Sequence, residues 1–134
     1  MSKVLIVEDE AEIQDLIGDV LALEGFEVHA LSRIPHGLDS IRELAPDAIV
    51  LDLMLPGVGG VELFRILTAD RVLAGTPIVI CSGAADLREL HGPEFAEHGA
   101  EVVAKPFELD ELLDAVRRAV AKGKSARGQG SHKA

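Results

Sequence analysis

Short, uninterrupted apolar runs alternate along this chain with longer stretches whose apolar residues recur at helical spacing. Val4-Leu5-Ile6-Val7 is the first run, the signature of a strand buried on both faces. Ile13, Leu16, Ile17, Val20 and Leu21 follow at helical spacing, and Gly25 is placed to end that helix. Phe26–Leu31 alternates as a second strand, and Pro35 can open a short helix carrying Leu38, Ile41 and Leu44. Ala48–Leu51 reads as strand three, with Pro56-Gly57 and Gly59-Gly60 forming the loop before a helix marked by Val61, Phe64 and Leu67. Ile78–Cys81 is strand four. Residues 84–98 look helical, but Gly92-Pro93 should break or reshape that element. Val102-Val103 gives strand five, and a last helix starts near Pro106, carries Leu109, Leu112, Leu113, Val116 and Val120, and ends at Gly123.

Five strand–helix units predict a parallel sheet with helices on both faces. Right-handed crossovers leave few topologies, and a flavodoxin-like (βα)5 doubly wound sheet of order 2-1-3-4-5 suits the length. The expected domain is 1–122, followed at 123–134 by a flexible basic tail or the start of a linker. That tail suits a stand-alone domain and a longer protein cut in its linker equally.

Ligands of such sheets bind beyond the carboxyl ends of the strands, so the residues there matter most. Glu8, Asp9 and Glu10 follow strand one, and Asp52 follows strand three. Ser82-Gly83 follows strand four, and Lys105-Pro106 follows strand five. In the assumed order Asp9 and Asp52 face each other across a crevice, with Ser82 and Lys105 coming in from one side. Clustered carboxylates need a shared cation, and oxygen ligands with open positions favour Mg²⁺. A lysine and a hydroxyl supply what a phosphoryl group also needs. The chemistry this suggests is phosphoryl transfer, with Asp52 as nucleophile and Ser82 and Lys105 holding the product. Singly, each residue has a plainer reading: Asp9 as a helix cap, Ser82 as a turn residue, Lys105 as a surface lysine. Agreement among four strand ends carries the inference.

Composition narrows the picture. The chain has 134 residues, no Trp or Tyr and four Phe, so its core is aliphatic. Its net charge is −10, and residues 1–121 hold nine basic against 23 acidic groups. A body this acidic repels nucleic-acid phosphates. No apolar run approaches the ~20 residues of a membrane span, and no signal-peptide pattern opens the chain. Cys81 is the single cysteine and reads as core. A cytoplasmic protein is expected.

The segments VLIVEDE (4–10), IVLDLMLPGVGG (49–60), PIVICSGAA (77–85), GAEVVAKPF (99–107) and the LDELLDAV stretch of the last helix together resemble the receiver domains of bacterial response regulators. The resemblance implies a switch in a two-component phosphorelay, with Asp52 as phosphoacceptor and a phosphohistidine as donor, carried by a sensor histidine kinase or histidine phosphotransfer protein. It implies Mg²⁺ on Asp9, Asp52 and the backbone carbonyl of Met54, with Glu8 acting mostly through water. Ser82 is then the hydroxyl that moves on activation, and Lys105 the partnering lysine. Gly83, Ala84, Val102 and Pro106 neighbour the switch. Val102 stands where the pattern usually has an aromatic residue.

The output face implied is the fourth helix, fifth strand and fifth helix, for a downstream protein or a homodimer. Such a protein modifies itself and is not an enzyme acting on a separate substrate. Met54 and Ala84 offer no group to position a hydrolytic water, which implies slow self-dephosphorylation. A pseudo-receiver that binds partners without phosphate remains open, favoured by Val102 and the altered fourth helix. A phosphatase would want an acid at Met54, and a nucleotide or flavin binder a glycine-rich loop after strand one.

Overall fold

The computed structural model describes residues 1–32, 38–53, 59–83 and 85–133; for 85–87 and 124–133 only the backbone is described. Five strands and five helices alternate: β1 Lys3–Val7, α1 Ala11–Leu23, β2 Glu27–Leu31, α2 Asp39–Leu44, β3 Ala48–Asp52, α3 Gly60–Ala69, β4 Ile78–Ser82, α4 Ala85–Glu97, β5 Glu101–Ala104 and α5 Leu109–Lys133. The sheet is parallel throughout, in the order β2-β1-β3-β4-β5. The expected topology is the observed one.

Side-chain alternation along the strands divides the core in two. Val4, Ile6, Val50, Val79 and Cys81 pack with Ile17 and Leu21 of α1 and with Leu112, Val116 and Val120 of α5. Leu5, Val7, Leu51 and Ile80 pack on the other face with Ile41 of α2, Leu63, Phe64 and Leu67 of α3, and Phe95 of α4. Both faces are therefore covered, which is why the strands read as unbroken apolar runs. Gly25 ends α1 as expected: its φ is 91°, and its N–H bonds the Ala22 carbonyl at 3.0 Å. Asp70, just past α3, caps the turn that follows by accepting from the N–H groups of Val72 and Leu73, while Arg42 of α2 pairs with the same carboxylate. The Arg42 side chain holds the Asp70 carboxyl below its usual range.

Two local expectations are corrected. α4 runs unbroken from Ala85 to Glu97 with Pro93 in its interior. Proline removes one hydrogen bond there, but the turn around it is pinned from outside. Phe95 is fully buried edge-to-face on Phe64, 4.9 Å between centroids, and Glu94 binds Arg65 of α3 at 2.9 Å. Phe95→Ala should consequently lower unfolding free energy by about 3–5 kcal/mol in urea denaturation. A loss under about 1 kcal/mol would mean tertiary packing does not hold this helix across its proline.

The second correction is that α5 does not stop at Gly123 but continues to Lys133. A Cβ on Gly123 would lie 2.9 Å from Pro77 Cγ and 3.3 Å from the Asp47 carbonyl oxygen. The glycine permits close packing of the helix against the loop before β4 rather than ending it. The helix expected to start near Pro106 begins at Leu109. The expected helix opening at Pro35 and the loop residues Pro56-Gly57 lie outside the described residues.

Candidate functional site

Glu8, Asp52, Ser82 and Lys105 stand at the carboxyl ends of β1, β3, β4 and β5, and the strand order brings them to one edge. Backbone bonds hold each in place. The Glu8 N–H continues the ladder to the Leu31 carbonyl at 3.0 Å, and Gln14 of α1 donates to the Glu8 carbonyl at 3.0 Å. Lys105 N–H donates to the Ser82 carbonyl at 2.9 Å, which ties the ends of β4 and β5 together. The Lys105-Pro106 peptide bond is cis.

Glu8, Asp52 and Ser82 are the buried polar residues of the described chain, at 2, 4 and 0% exposure. Asp9 is exposed. It is not a helix cap, because Glu10 occupies the N-cap position of α1. Carboxylate oxygens of Glu8, Asp9 and Asp52 all lie within 4.8 Å of one another, and among the described residues no other cluster could hold a metal. Lys105 Nζ reaches in from β5, 3.3 Å from Glu8 Oε1 and 3.6 Å from Asp52 Oδ2.

The charges are unbalanced. Burial, and then the neighbouring Asp52, push the Glu8 carboxyl up to about 8, against a smaller pull downward from Lys105. Burial works against the Lys105 ammonium, yet Asp52 and Glu8 outweigh it and raise its pKa. One lysine thus faces two buried acids, and Glu8 accepts a proton in default of further positive charge. Burial pushes the Cys81 thiol up to about 12, so this cysteine is a core residue and no nucleophile at neutral pH.

The remaining sequence candidates divide. Gly83 is exposed beside Lys105, and Pro106 lines an apolar groove with Ile13, Leu16 and Phe107. Val102 is 43% exposed on β5. Met54 and Ala84 lie outside the described residues.

In the sequence Gly60 is marked only as a loop residue. It is the first residue of α3, and its N–H donates to the Leu53 carbonyl at 2.9 Å. A Cβ there would lie 2.4 Å from the carbonyl oxygen of Asp52 and 2.4 Å from Leu53 Cα. α3 can sit against the end of β3 only without a side chain at this position. Gly60→Ala should therefore destabilise by about 1–3 kcal/mol in chemical denaturation, overriding the fraction of a kcal/mol that alanine gains in a helix. An alanine variant as stable as the parent would contradict the close approach.

A doubly wound parallel sheet with acids and a lysine gathered at its switch-point edge defines a class of phosphate- or metal-handling domains. Comparison with known proteins places the chain within that class. Residues 4–117 match the model of the response regulator receiver domain. The DNA-binding response regulator MtrA of Mycolicibacterium paratuberculosis is 36% identical over 116 residues, covering 86% of this chain and 49% of that protein. The phosphate regulon transcriptional regulatory protein PhoB of Rhizobium meliloti is 33% identical over 125 residues, 92% of this chain and 54% of that protein. The crystal structure of a putative response regulator from Chloroflexus aurantiacus superposes with a TM-score of 0.78 at 30% identity, covering 90% of this chain and 98% of that one. This chain belongs to the response regulator receiver domain family of two-component systems. It spans about half the length of the curated relatives it matches.

Proposed function

We propose that this protein is a phosphorylation switch of a two-component relay, accepting a phosphoryl group on Asp52 from a phosphohistidine of a sensor kinase or phosphotransfer protein. The observation that carries the reading is the meeting of Glu8, Asp9 and Asp52 with the Lys105 ammonium at one sheet edge. In the reaction an Asp52 carboxylate oxygen attacks phosphorus, the nitrogen–phosphorus bond breaks, and the imidazole leaves as the neutral ring after taking a proton. Lys105, 3.6 Å from Asp52, balances the charge delivered. Ser82 lies at the next strand end and offers its hydroxyl to a phosphoryl oxygen.

The donor set fits Mg²⁺. Three carboxylates offer hard oxygens within one ion's reach, and the raised Glu8 carboxyl marks negative charge that Lys105 alone leaves uncompensated. Asp9 and Asp52 would hold the ion with the Met54 carbonyl, and Glu8 would act through water. When bound, it supplies charge neutralisation for the transferring phosphoryl oxygens.

The domain is proposed as residues 1–122 of a cytoplasmic protein, with α4, β5 and α5 facing a downstream partner. Among the described residues no helix is long and apolar enough to cross a membrane. Intact mass after incubation with phosphoramidate and Mg²⁺ tests the reading. A gain of one phosphoryl mass (~80 Da), abolished by EDTA, is expected. No gain with any small donor or phosphohistidine protein would favour a pseudo-receiver that signals by binding alone.

A further inference from the structure

α4 opens immediately beyond the strand end that carries Ser82, so its first turns lie at the edge where the acids and Lys105 meet. Arg88 lies in those turns. It stands seven residues before Phe95, two helical turns, and so on the same stripe of the helix. Phe95 is fully buried in the core layer between the sheet and α3. Arg88 therefore belongs to the inward side of α4, and its Nε is buried with no hydrogen-bond partner.

Among the described residues no other side chain has a buried nitrogen or oxygen without a partner. Arg42, Arg65, Arg117 and Arg118 each hold a carboxylate. A buried guanidinium donor without an acceptor is costly to keep. An acceptor supplied in a second state of the protein explains why it is there. Strand alternation points to which one: Ile78 and Ile80 pack on the α3/α4 face, so Ser82 falls on that face too. The guanidinium fork matches phosphoryl oxygens in geometry as well as charge. Val102, on β5, has no ring that could carry the site's state toward α4.

We propose that Arg88 is a phosphoryl-sensing residue. With the phosphoryl group on Asp52, its guanidinium pairs with phosphoryl oxygens alongside Lys105 and draws the first turns of α4 onto the site. This rests on the reading of Asp52 as acceptor.

Beryllofluoride with Mg²⁺ serves as the phosphoryl mimic, its binding followed by fluorine NMR and the response of residues 85–97 by hydrogen exchange. The parent should bind and gain protection across α4. Arg88→Gln should bind about tenfold more weakly, as the loss of a hydrogen bond to a charged group implies, and gain no protection. Arg88→Lys should fall between the two. Arg88→Met should raise the melting temperature of the unmodified protein, because it removes the unpaired donor and keeps most of the stem; a purely structural arginine would lower it. A glutamine variant with parental affinity and parental protection overturns the role of Arg88 alone. A parent that binds no beryllofluoride overturns the acceptor reading, and this inference with it.

Discussion

Asp52→Asn is expected to abolish phosphoryl uptake while making the unmodified protein more stable at neutral pH. The nucleophilic carboxylate is removed, and an amide does not attack phosphorus, so uptake should fall to background in the presence of any donor. The stability change comes from Glu8. Burial and Asp52 together push that carboxyl up to about 8, so near neutrality it is held in a form the unfolded chain does not favour. Replacing Asp52 with a neutral group removes the second of those causes and leaves the first. A gain of about 1–2 kcal/mol in denaturant unfolding at pH 7.5 follows, a fraction of the whole shift. A variant that still gains phosphate would displace Asp52 as acceptor, and one that loses stability would mean that the lost Lys105 pairing outweighs the relief at Glu8.

The second large effect is a pH dependence that divalent metal should erase. The folded-state pKa of Glu8 is raised from 4.5 to about 8, so between those values the native state holds a proton that the unfolded state has released. Stability contributed by that proton is fully present below 4.5 and is lost as pH rises through 8. The loss is on the order of 2–5 kcal/mol across pH 5 to 8.5 in metal-free buffer. Mg²⁺ and the proton compete for the same charge, so Mg²⁺ should stabilise little at pH 5 and most at pH 8.5. Thermal unfolding at both pH values, with and without Mg²⁺, reads this directly. Equal stabilisation by Mg²⁺ at both would remove Glu8 from the metal's surroundings.

The sheet and most of the site were legible in the chain because both rest on strands. Val4–Val7, Ala48–Leu51 and Ile78–Cys81 are buried on two faces and read as unbroken apolar runs. Their parallel order places whatever follows each run at one edge, so Glu8, Asp52, Ser82 and Lys105 stand out from the sequence alone.

Glycine and proline were less readable. Gly25 and Gly123 look alike in sequence, yet one supplies a positive φ at a helix end and the other lets a helix pass close to Pro77. Gly60 reads as a loop residue, and only the approach of α3 to the Asp52 carbonyl shows what it permits. Pro93 reads as a breaker because sequence shows the missing N–H and not the contacts of Phe64 and Arg65 of α3 with Phe95 and Glu94, which pin the same turn. The unpaired Nε of Arg88 depends on what surrounds a side chain, which no local pattern carries.

The most direct measurement is to locate the acceptor chemically. The protein is incubated with phosphoramidate and Mg²⁺, reduced with borohydride, digested, and its peptides sequenced by mass spectrometry. An aspartyl phosphate is reduced to homoserine, so homoserine at position 52, absent without the donor, is the predicted result. Homoserine at another acid, or a phosphorylated protein with Asp52 unchanged, would contradict the account.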